Sequence, residues 1–331
     1  MKKTNKVGFL ATIFLFSLSL CILGGSLSGT SFAAEEDFPK KEVTVIVNFG
    51  AGGGRDTVVR GIGEKMSKYL GVPVVVKNLP GAGGARGLIE LNNSAPDGYT
   101  IGISAAQDIL KKIIEKREYD HKNFSFIGRA TSDPLFLFVK SDSPFRSVKD
   151  FKTFGKPVRI SVSSLTSNWV VAMMILANRE GFSLAIVGGF KGAADYTLAL
   201  VRGEVELSGP ILGVAQQYVR AGQIRPILTI DENRYPDFPD TPTAAEIGHP
   251  DLAVLKFESW FIAPPGVPKA RVQILEDALM NTLKDPEFLS WAKGASLNPA
   301  PLGSEATTKE VFGLYDLLVK YKGDVEKHIK K

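Results

Sequence analysis

The chain has 331 residues, of which 44% are hydrophobic and 23% are charged, and its formal net charge is +5. This length suits two lobes better than one simple core, and the composition excludes a disordered or collagen-like protein. A single cysteine, Cys21, excludes a disulfide framework and a cysteine-based zinc site. The three histidines, His121, His249 and His328, lie too far apart in sequence to form a spaced metal motif.

Residues 1–33 have the three-part pattern of a secretory signal peptide. Lysines within the first six residues precede an apolar run, Val7–Leu23, and small residues that include Ser31 and Ala33 follow it. A membrane anchor is the alternative, but about 17 apolar residues are short for a span that needs roughly 20. We therefore expect residues 1–33 to be removed when the protein is exported to the periplasm.

Export would also account for much of the net charge. The signal contains Lys2, Lys3 and Lys6 and no acidic residue, so 40 minus 3 leaves 37 basic residues against 35 acidic ones. This near-neutral balance gives no support to nucleic-acid binding. Cys21 could accept a lipid, but the segment before it has a bulky leucine where a lipoprotein signal normally has a small residue. Lipid anchoring is therefore disfavoured.

Short strands alternate with helical segments from residue 42 onward. The pattern predicts a strand at Glu42–Phe49, a glycine loop at Gly50–Arg55, and a helix at Val58–Leu70 that ends at Gly71. A second unit is predicted with a strand at Val72–Lys77, a loop at Asn78–Gly84, a helix through Asn92 and a strand at Tyr99–Ser104. Such alternation predicts an α/β lobe with a largely parallel sheet.

A second strand-helix series begins with the apolar strand Leu135–Lys140. Further strands are predicted at Pro157–Ser161, Leu184–Val187, Val205–Ser208 and Pro226–Thr229, with helices at Asn168–Arg179, Asp195–Arg202 and Gly213–Ala221. The apolar strand Phe257–Ala263 returns before a tail that is helical in character from Pro268 onward. Two crossings between lobes are predicted, with lobe 1 at residues 34–137 and 258–331, and lobe 2 at 138–257. A ligand is expected in the cleft between them.

The loop after the first strand is rich in glycine and stands directly before a helix. Glycine lets the backbone turn and expose its N–H groups, and a helix start carries unpaired N–H groups with a partial positive charge. Gly50–Thr57 is therefore a candidate site for a phosphate or a carboxylate. In the alternative interpretation, Asp56 and Thr57 serve only as N-terminal caps of the helix.

Nucleotide-binding motifs do not fit this loop or the next one. A P-loop would need Lys-Ser or Lys-Thr after the glycines, and neither follows. The dinucleotide fingerprint fails because Arg55 and Arg86 occupy the third glycine positions. We therefore expect no cofactor, and a carboxylate as the bound anion.

Two segments of the second series have similar chemistry. The hydroxyl-rich loop Ser161–Asn168 can donate hydrogen bonds to an oxygen-rich ligand, although it equally fits a turn with an N-cap. Phe190–Ala194 places a lysine and small residues before a helix, although a single lysine is usually solvated surface. Trp169 and Trp260 are interpreted as core residues. No G-x-S-x-G elbow is present, so we do not expect an enzyme.

Several ordered motifs together resemble the substrate-binding proteins of tripartite tricarboxylate transporters, the Bug or TctC-like family. They are KKEVTVIVNFGAGGGRDT, PVVVKNLPGAGGARG, APDGYT, GFKGAA, LALVRGEVEL, AGQIR, FPDTPTAAEI and SWFIAPP. The resemblance implies a type II periplasmic-binding-protein fold of class α/β, with two α/β lobes around a ligand cleft joined by two crossing strands. It also implies a monomeric receptor that passes a small organic acid to the membrane permease subunits of a tripartite tricarboxylate transporter.

The resemblance places the ligand on three loops. The implied ligand-binding residues are Phe49, Ala51, Gly52, Gly53, Gly54, Arg55, Asp56, Thr57, Ser163, Ser164, Thr166, Ser167, Asn168, Lys191, Gly192, Ala193 and Ala194. Arg55 departs from the small or hydroxyl residue common in the family, and either adds a charge to the pocket or points to solvent. Val170 stands near the family's usual histidine. A receptor that presents its ligand to a membrane sensor kinase, or an exported enzyme on the same fold, are the alternatives.

Overall fold

The computed structural model describes residues 37–190, 192–295 and 297–329. The predicted signal peptide, Cys21 and Lys191 lie outside the described residues. The fold belongs to the unit that begins at Phe38. No helix among the described residues is both long and apolar enough to cross a membrane.

Ten strands are seen in the described residues. They are β1 (Val43–Val47), β2 (Val74–Asn78), β3 (Thr100–Ser104), β4 (Ser125–Asp133), β5 (Leu135–Lys140), β6 (Val158–Ser161), β7 (Leu184–Val187), β8 (Ile224–Ile230), β9 (Phe257–Ala263) and β10 (Pro299–Gly303). The α-helices of the same residues are α1 (Gly54–Leu70), α2 (Ala85–Asn92), α3 (Ala106–Glu115), α4 (Asp150–Thr153), α5 (Asn168–Glu180), α6 (Ala193–Arg202), α7 (Leu212–Arg220), α8 (Lys269–Lys284), α9 (Pro286–Gly294) and α10 (Ser304–Ile329).

The first sheet has six strands in the order β10-β4-β9-β3-β1-β2. β1 lies parallel to β2 and β3, whereas β9 runs antiparallel to both β3 and β4, and β10 antiparallel to β4. The prediction of a largely parallel sheet is therefore wrong for this half of the lobe. The reason is that β9 and β10 come from the C-terminal part of the chain, outside the alternating strand-helix units that produce parallel neighbours.

The second lobe is built on a separate set of strands. β5 pairs antiparallel with β8, and β6 pairs parallel with β7. Two isolated bridges, Phe138–Ser208 and Ile160–Leu207, connect these pairs through one extended segment. The strand predicted at Val205–Ser208 is present only as these bridges.

Two connections carry the chain between the sheets. The first is at Pro134, because β4 ends at Asp133 in one sheet and β5 begins at Leu135 in the other. The second precedes Phe257, where β9 joins the first sheet. The C-terminal helix α10 packs against β4 and α3 and also against α5 of the second lobe. The lobe boundaries predicted from the sequence stay a prediction.

The C-terminal tail is not helical throughout. β10, with the sequence PAPLG, interrupts the predicted helical region and pairs with β4. Its two prolines are tolerated because β10 lies at the edge of the sheet, where one side of the backbone needs no partner. From its sequence alone, a proline-rich segment of this kind indicates a loop.

Candidate functional site

Two adjoining cavities open where the lobes meet. One has a volume of about 200 Å³ and the other about 440 Å³. Both are lined by Gln107 of α3 and by Ser163 and Ser167 of the second lobe. The shared residues make the two cavities parts of one cleft.

Three helices of the second lobe begin at the smaller cavity. Asn168 starts α5, Ala193 starts α6, and Ile211 is the residue before α7; all three line this cavity. None of the three helices has a hydrogen bond from a side-chain cap at its N-terminus. The starts of three helices, each with unpaired N–H groups and a partial positive charge, therefore lie at the same cavity. Among the described residues that line this cavity none is charged, so these residues would hold an anion by helix dipoles and hydroxyl groups.

Aromatic side chains form one wall of the smaller cavity. The rings of Trp169 and Tyr196 lie 6.2 Å apart, and Leu135 and Phe257 complete the apolar lining. Trp169 is only 4% exposed, so its interpretation as a core residue is confirmed, but it also lines the cavity. The carbon body of a ligand can pack on this wall.

Gly209 leaves the space that the Trp169 ring occupies. A Cβ atom at this position would lie 2.5 Å from the ring. We expect Gly209→Ala to lower the free energy of unfolding by about 1–3 kcal/mol, because the buried ring must shift. Urea unfolding followed by circular dichroism measures this. Gly188→Ala is the matched control, since nothing lies within 4 Å of a Cβ there; equal losses for the two variants would contradict the prediction.

The larger cavity brings charged side chains of the first lobe opposite the serines of the second. Lys111, Glu115 and Arg117 line it together with Phe49 and Gly83, and Ser163, Ser164 and Ser167 face them. The Arg117 Nε donates to Glu115 at 2.8 Å, so these two opposite charges are paired. Lys111 is buried, and its ammonium donates to the Gly83 carbonyl.

The predicted loop of the first lobe contributes less to the cavity walls than the sequence suggested. Phe49 lines the larger cavity, whereas Ala51, Gly52, Gly53, Gly54, Arg55, Asp56 and Thr57 line neither cavity. The four residues 51–54 are exposed. Their role in binding stays a prediction.

Arg55 points neither to solvent nor into a cavity. It is 8% exposed, and its guanidinium donates to Asp108 at 2.8 Å and to Asn48 at 2.9 Å. The ring of Phe49 lies 4.6 Å from the guanidinium carbon. Arg55 thus supports Phe49 from behind, and its charge is balanced by Asp108.

Asp56 holds the loop in place. Its carboxylate accepts hydrogen bonds from the Gly52 N–H at 2.8 Å, from Arg60 at 2.9 Å and from Asn78 at 2.8 Å. The bond from Arg60 is the main cause that lowers the pKa of Asp56 to about 2. The N-cap of α1 is Gly53 rather than Asp56 or Thr57. The alternative interpretation of Asp56 and Thr57 as N-caps is therefore wrong, and Asp56 instead holds the loop through Gly52, Arg60 and Asn78 from inside the first turn.

The predicted residues of the second lobe lie closer to the cleft. Ser163, Ser164, Ser167, Asn168 and Ala193 line it, whereas Thr166, Gly192 and Ala194 do not. The Asn168 amide donates to the Lys256 carbonyl at 2.5 Å and so ties the start of α5 to the returning chain. Val170, near the family's usual histidine, is fully buried and does not line the cleft.

A buried polar cluster lies beneath Lys111. Asp108 accepts from Arg55 and from the Ala105 N–H, and Ser104 bridges Asp108 and His121. Burial opposes ionisation of Asp108, but the charges of Arg55 and Lys111 hold its pKa below the ordinary value. Burial lowers the pKa of His121 to about 4 and also lowers that of Lys111, against the attraction of Asp108.

The contribution of α3 to the cleft was not predicted from the sequence. Gln107, Lys111 and Glu115 lie on this helix, and no helix was predicted there. The signal was present, since Ile109, Leu110 and Ile113 have the spacing of one buried helix face. Tyr196, Gly209 and Ile211 were also missed, because only the three-dimensional meeting of α6 and α7 brings them to the cavity.

Two α/β lobes with anion-attracting helix starts in the cleft between them define a two-lobe solute-binding protein. The model of the TctC family, "Tripartite tricarboxylate transporter family receptor", matches residues 58–311. The chain belongs to this family, which confirms the resemblance seen in the sequence.

Relatives and solved structures agree with this assignment. A Cupriavidus necator protein described as "UPF0065 protein in gbd 5'region" is 27% identical over 283 residues, which cover 82% of this chain and 84% of that protein. A TctC solute-binding protein from Polaromonas has the same fold, with a TM-score of 0.75, 24% identity, and coverage of 88% and 99% of the two chains. MatC from Rhodopseudomonas palustris, solved with bound malate, gives a TM-score of 0.68 at 24% identity, with coverage of 87% and 99%. The type II periplasmic-binding-protein fold is thereby confirmed.

Proposed function

We propose that this protein is an extracytoplasmic receptor that captures a small organic acid between its lobes and delivers it to a tripartite tricarboxylate-type permease. The observation that carries the proposal is that α5, α6 and α7 begin at one cavity whose described lining residues are uncharged, each helix without a side-chain cap. A carboxylate is the anion that this arrangement suits in an exported receptor, since the phosphate-binding motifs of nucleotide sites are missing.

Binding would close the lobes without a chemical step. The acid contacts the second lobe through the helix starts and the serines, and the first lobe through the wall that Phe49 and Lys111 form. Contacts to both lobes at once are available only when the cleft is closed, so the ligand shifts the equilibrium toward that state. The family is one of receptors, and we propose that this member is not an enzyme, needs no cofactor and acts as a monomer in the periplasm.

A thermal-shift screen of the purified mature protein tests ligand capture. The panel contains mono-, di- and tricarboxylates, aromatic acids and acidic amino acids, with neutral and cationic analogues as controls. A ligand at a hundredfold excess over its dissociation constant stabilises the folded state by about 2.7 kcal/mol, which raises the melting temperature by several degrees. If only neutral or cationic compounds raise it, the carboxylate proposal is wrong.

Delivery to a permease needs a second experiment. Uptake of the labelled acid that binds best is measured in cells that express the candidate permease subunits with and without this protein. Receptor-dependent uptake supports delivery. Binding without uptake, together with receptor-dependent activation of a membrane sensor kinase, would favour the signalling alternative.

A further inference from the structure

We propose that Lys111 is the specificity-determining cation of the cleft and that its ammonium group pairs with a carboxylate of the bound acid. The inference rests on the proposed function and names the residue that favours ligands with a second negative charge. Lys111 lies on α3 and lines the larger cavity opposite Ser163 and Ser164. It is 6% exposed and stands on the Phe49 ring, 5.5 Å from the ring centroid.

Within the part of the chain that the structure describes, the ammonium group of Lys111 has N–H donors without an acceptor. It donates to the Gly83 carbonyl, and among the ion pairs of the described residues it takes part in none. An ammonium carries three N–H donors. Hydrogen-bonding capacity therefore remains for an acceptor that enters the cavity.

The carboxylates near Lys111 form ion pairs with other cations. Asp108, beneath Lys111, is paired with Arg55 at 2.8 Å, and both side chains are almost fully buried. Glu115, at the rim, is paired with Arg117. Among its described residues, the cavity wall thus has two cations, Lys111 and Arg117, and one anion, Glu115. Keeping a buried cation without a paired anion is costly, and a ligand carboxylate would offset that cost.

The two cavities are continuous, so one ligand can occupy both. Gln107, Ser163 and Ser167 line both cavities, so one molecule can extend from one into the other. A diacid can place one carboxylate at the helix starts of the smaller cavity and direct the other toward Lys111. A purely structural Lys111, holding the turn at Gly83, would affect all ligands equally.

Calorimetry with matched ligands separates the two roles. Succinate, glutarate and adipate are each compared with their monoamides, which keep the size but lack one charge. The proteins are the wild type, Lys111→Met and, as a surface control, Lys122→Met, whose native lysine pairs with the exposed Asp316. We expect Lys111→Met to weaken binding of the best diacid at least tenfold and that of its monoamide less than threefold, with Lys122→Met unchanged.

Equal weakening of the diacid and the monoamide, or no weakening, would overturn the role of Lys111 and leave the proposed function intact. Failure of the wild type to bind any of the three diacids would also overturn it. The proposed function would then depend on the wider thermal-shift panel, in which a response confined to neutral or cationic compounds contradicts it.

Discussion

Asp108→Ala should lower the free energy of unfolding by about 3–5 kcal/mol. The substitution leaves Arg55 buried without its carboxylate partner, since their side chains are 0% and 7% exposed and the charged atoms lie 2.8 Å apart. It also removes the acceptor of the Ala105 N–H at the start of α3. A buried cation that has lost its anion has no compensating solvent, so the cost is far above that of a surface pair.

Urea unfolding at pH 7 measures this effect against two further variants. Asp316→Ala breaks the exposed pair with Lys122 and should cost about 0–1 kcal/mol. The double variant Arg55→Met/Asp108→Leu removes both charges and should recover most of the loss, because apolar side chains can replace a buried pair. A loss below about 1 kcal/mol for Asp108→Ala would show that the buried pair does not stabilise the fold.

This ion pair shows why Arg55 was hard to interpret from the sequence. The glycine loop before α1 predicted an anion site, and Arg55 within it had two open interpretations, pocket or solvent. Its partner Asp108 lies 53 positions further along the chain, on a helix that the sequence analysis did not assign. Local pattern predicts which segment forms a loop, but the pairing of two charges depends on how β1, β3 and their helices come together.

The strands also differ in whether local sequence or long-range pairing determines them. β5 and β9 were predicted at their observed bounds, because their apolar runs are long and bounded by clear turn residues. β4 was missed, because SFIGRATSD mixes glycine, arginine and serine into a strand that is stabilised by β9 and β10 on either side. The two-lobe architecture was therefore predictable, while the antiparallel half of the first sheet was not.

The two walls of the cleft also differ in how far the sequence predicts them. The second-lobe loop was predicted from its hydroxyl residues, and Ser163, Ser164 and Ser167 do line the cleft. The first-lobe wall is formed largely by α3, whose polar residues carry no motif. A lysine on an amphipathic helix normally lies at the surface, and only the tertiary structure shows that Lys111 is buried over Phe49.

His121 should make the protein less stable in mild acid. Its ring is fully buried between Tyr119 and Phe124, and burial lowers its pKa from 6.5 to about 4. Between these values the unfolded chain binds a proton that the folded chain excludes. His121 therefore lowers the free energy of unfolding as the pH decreases from 6.5 to 4, by about 3 kcal/mol at pH 4.

Two carboxyl groups raise the free energy of unfolding as the pH decreases, whereas His121 lowers it. The pH dependence of wild-type stability therefore cannot by itself show the contribution of His121. Burial raises the pKa of Asp133 to about 7, and burial also raises the pKa of Glu258 well above its ordinary value. Each of these groups binds its proton more tightly in the folded state. Their contributions to stability are therefore present in acid and are lost as the pH rises through the folded-state pKa.

Comparison with His121→Phe separates these contributions. Phenylalanine keeps an aromatic ring between Tyr119 and Phe124 but cannot titrate, and both proteins retain Asp133 and Glu258. Urea unfolding is measured for both proteins at pH 7, 5.5 and 4. The variant starts lower at pH 7 because it loses the contact with Ser104, but from pH 7 to pH 4 the free energy of unfolding of the wild type should fall by about 3 kcal/mol relative to that of the variant. Parallel curves would show that His121 accepts its proton as readily in the folded state as in the unfolded chain.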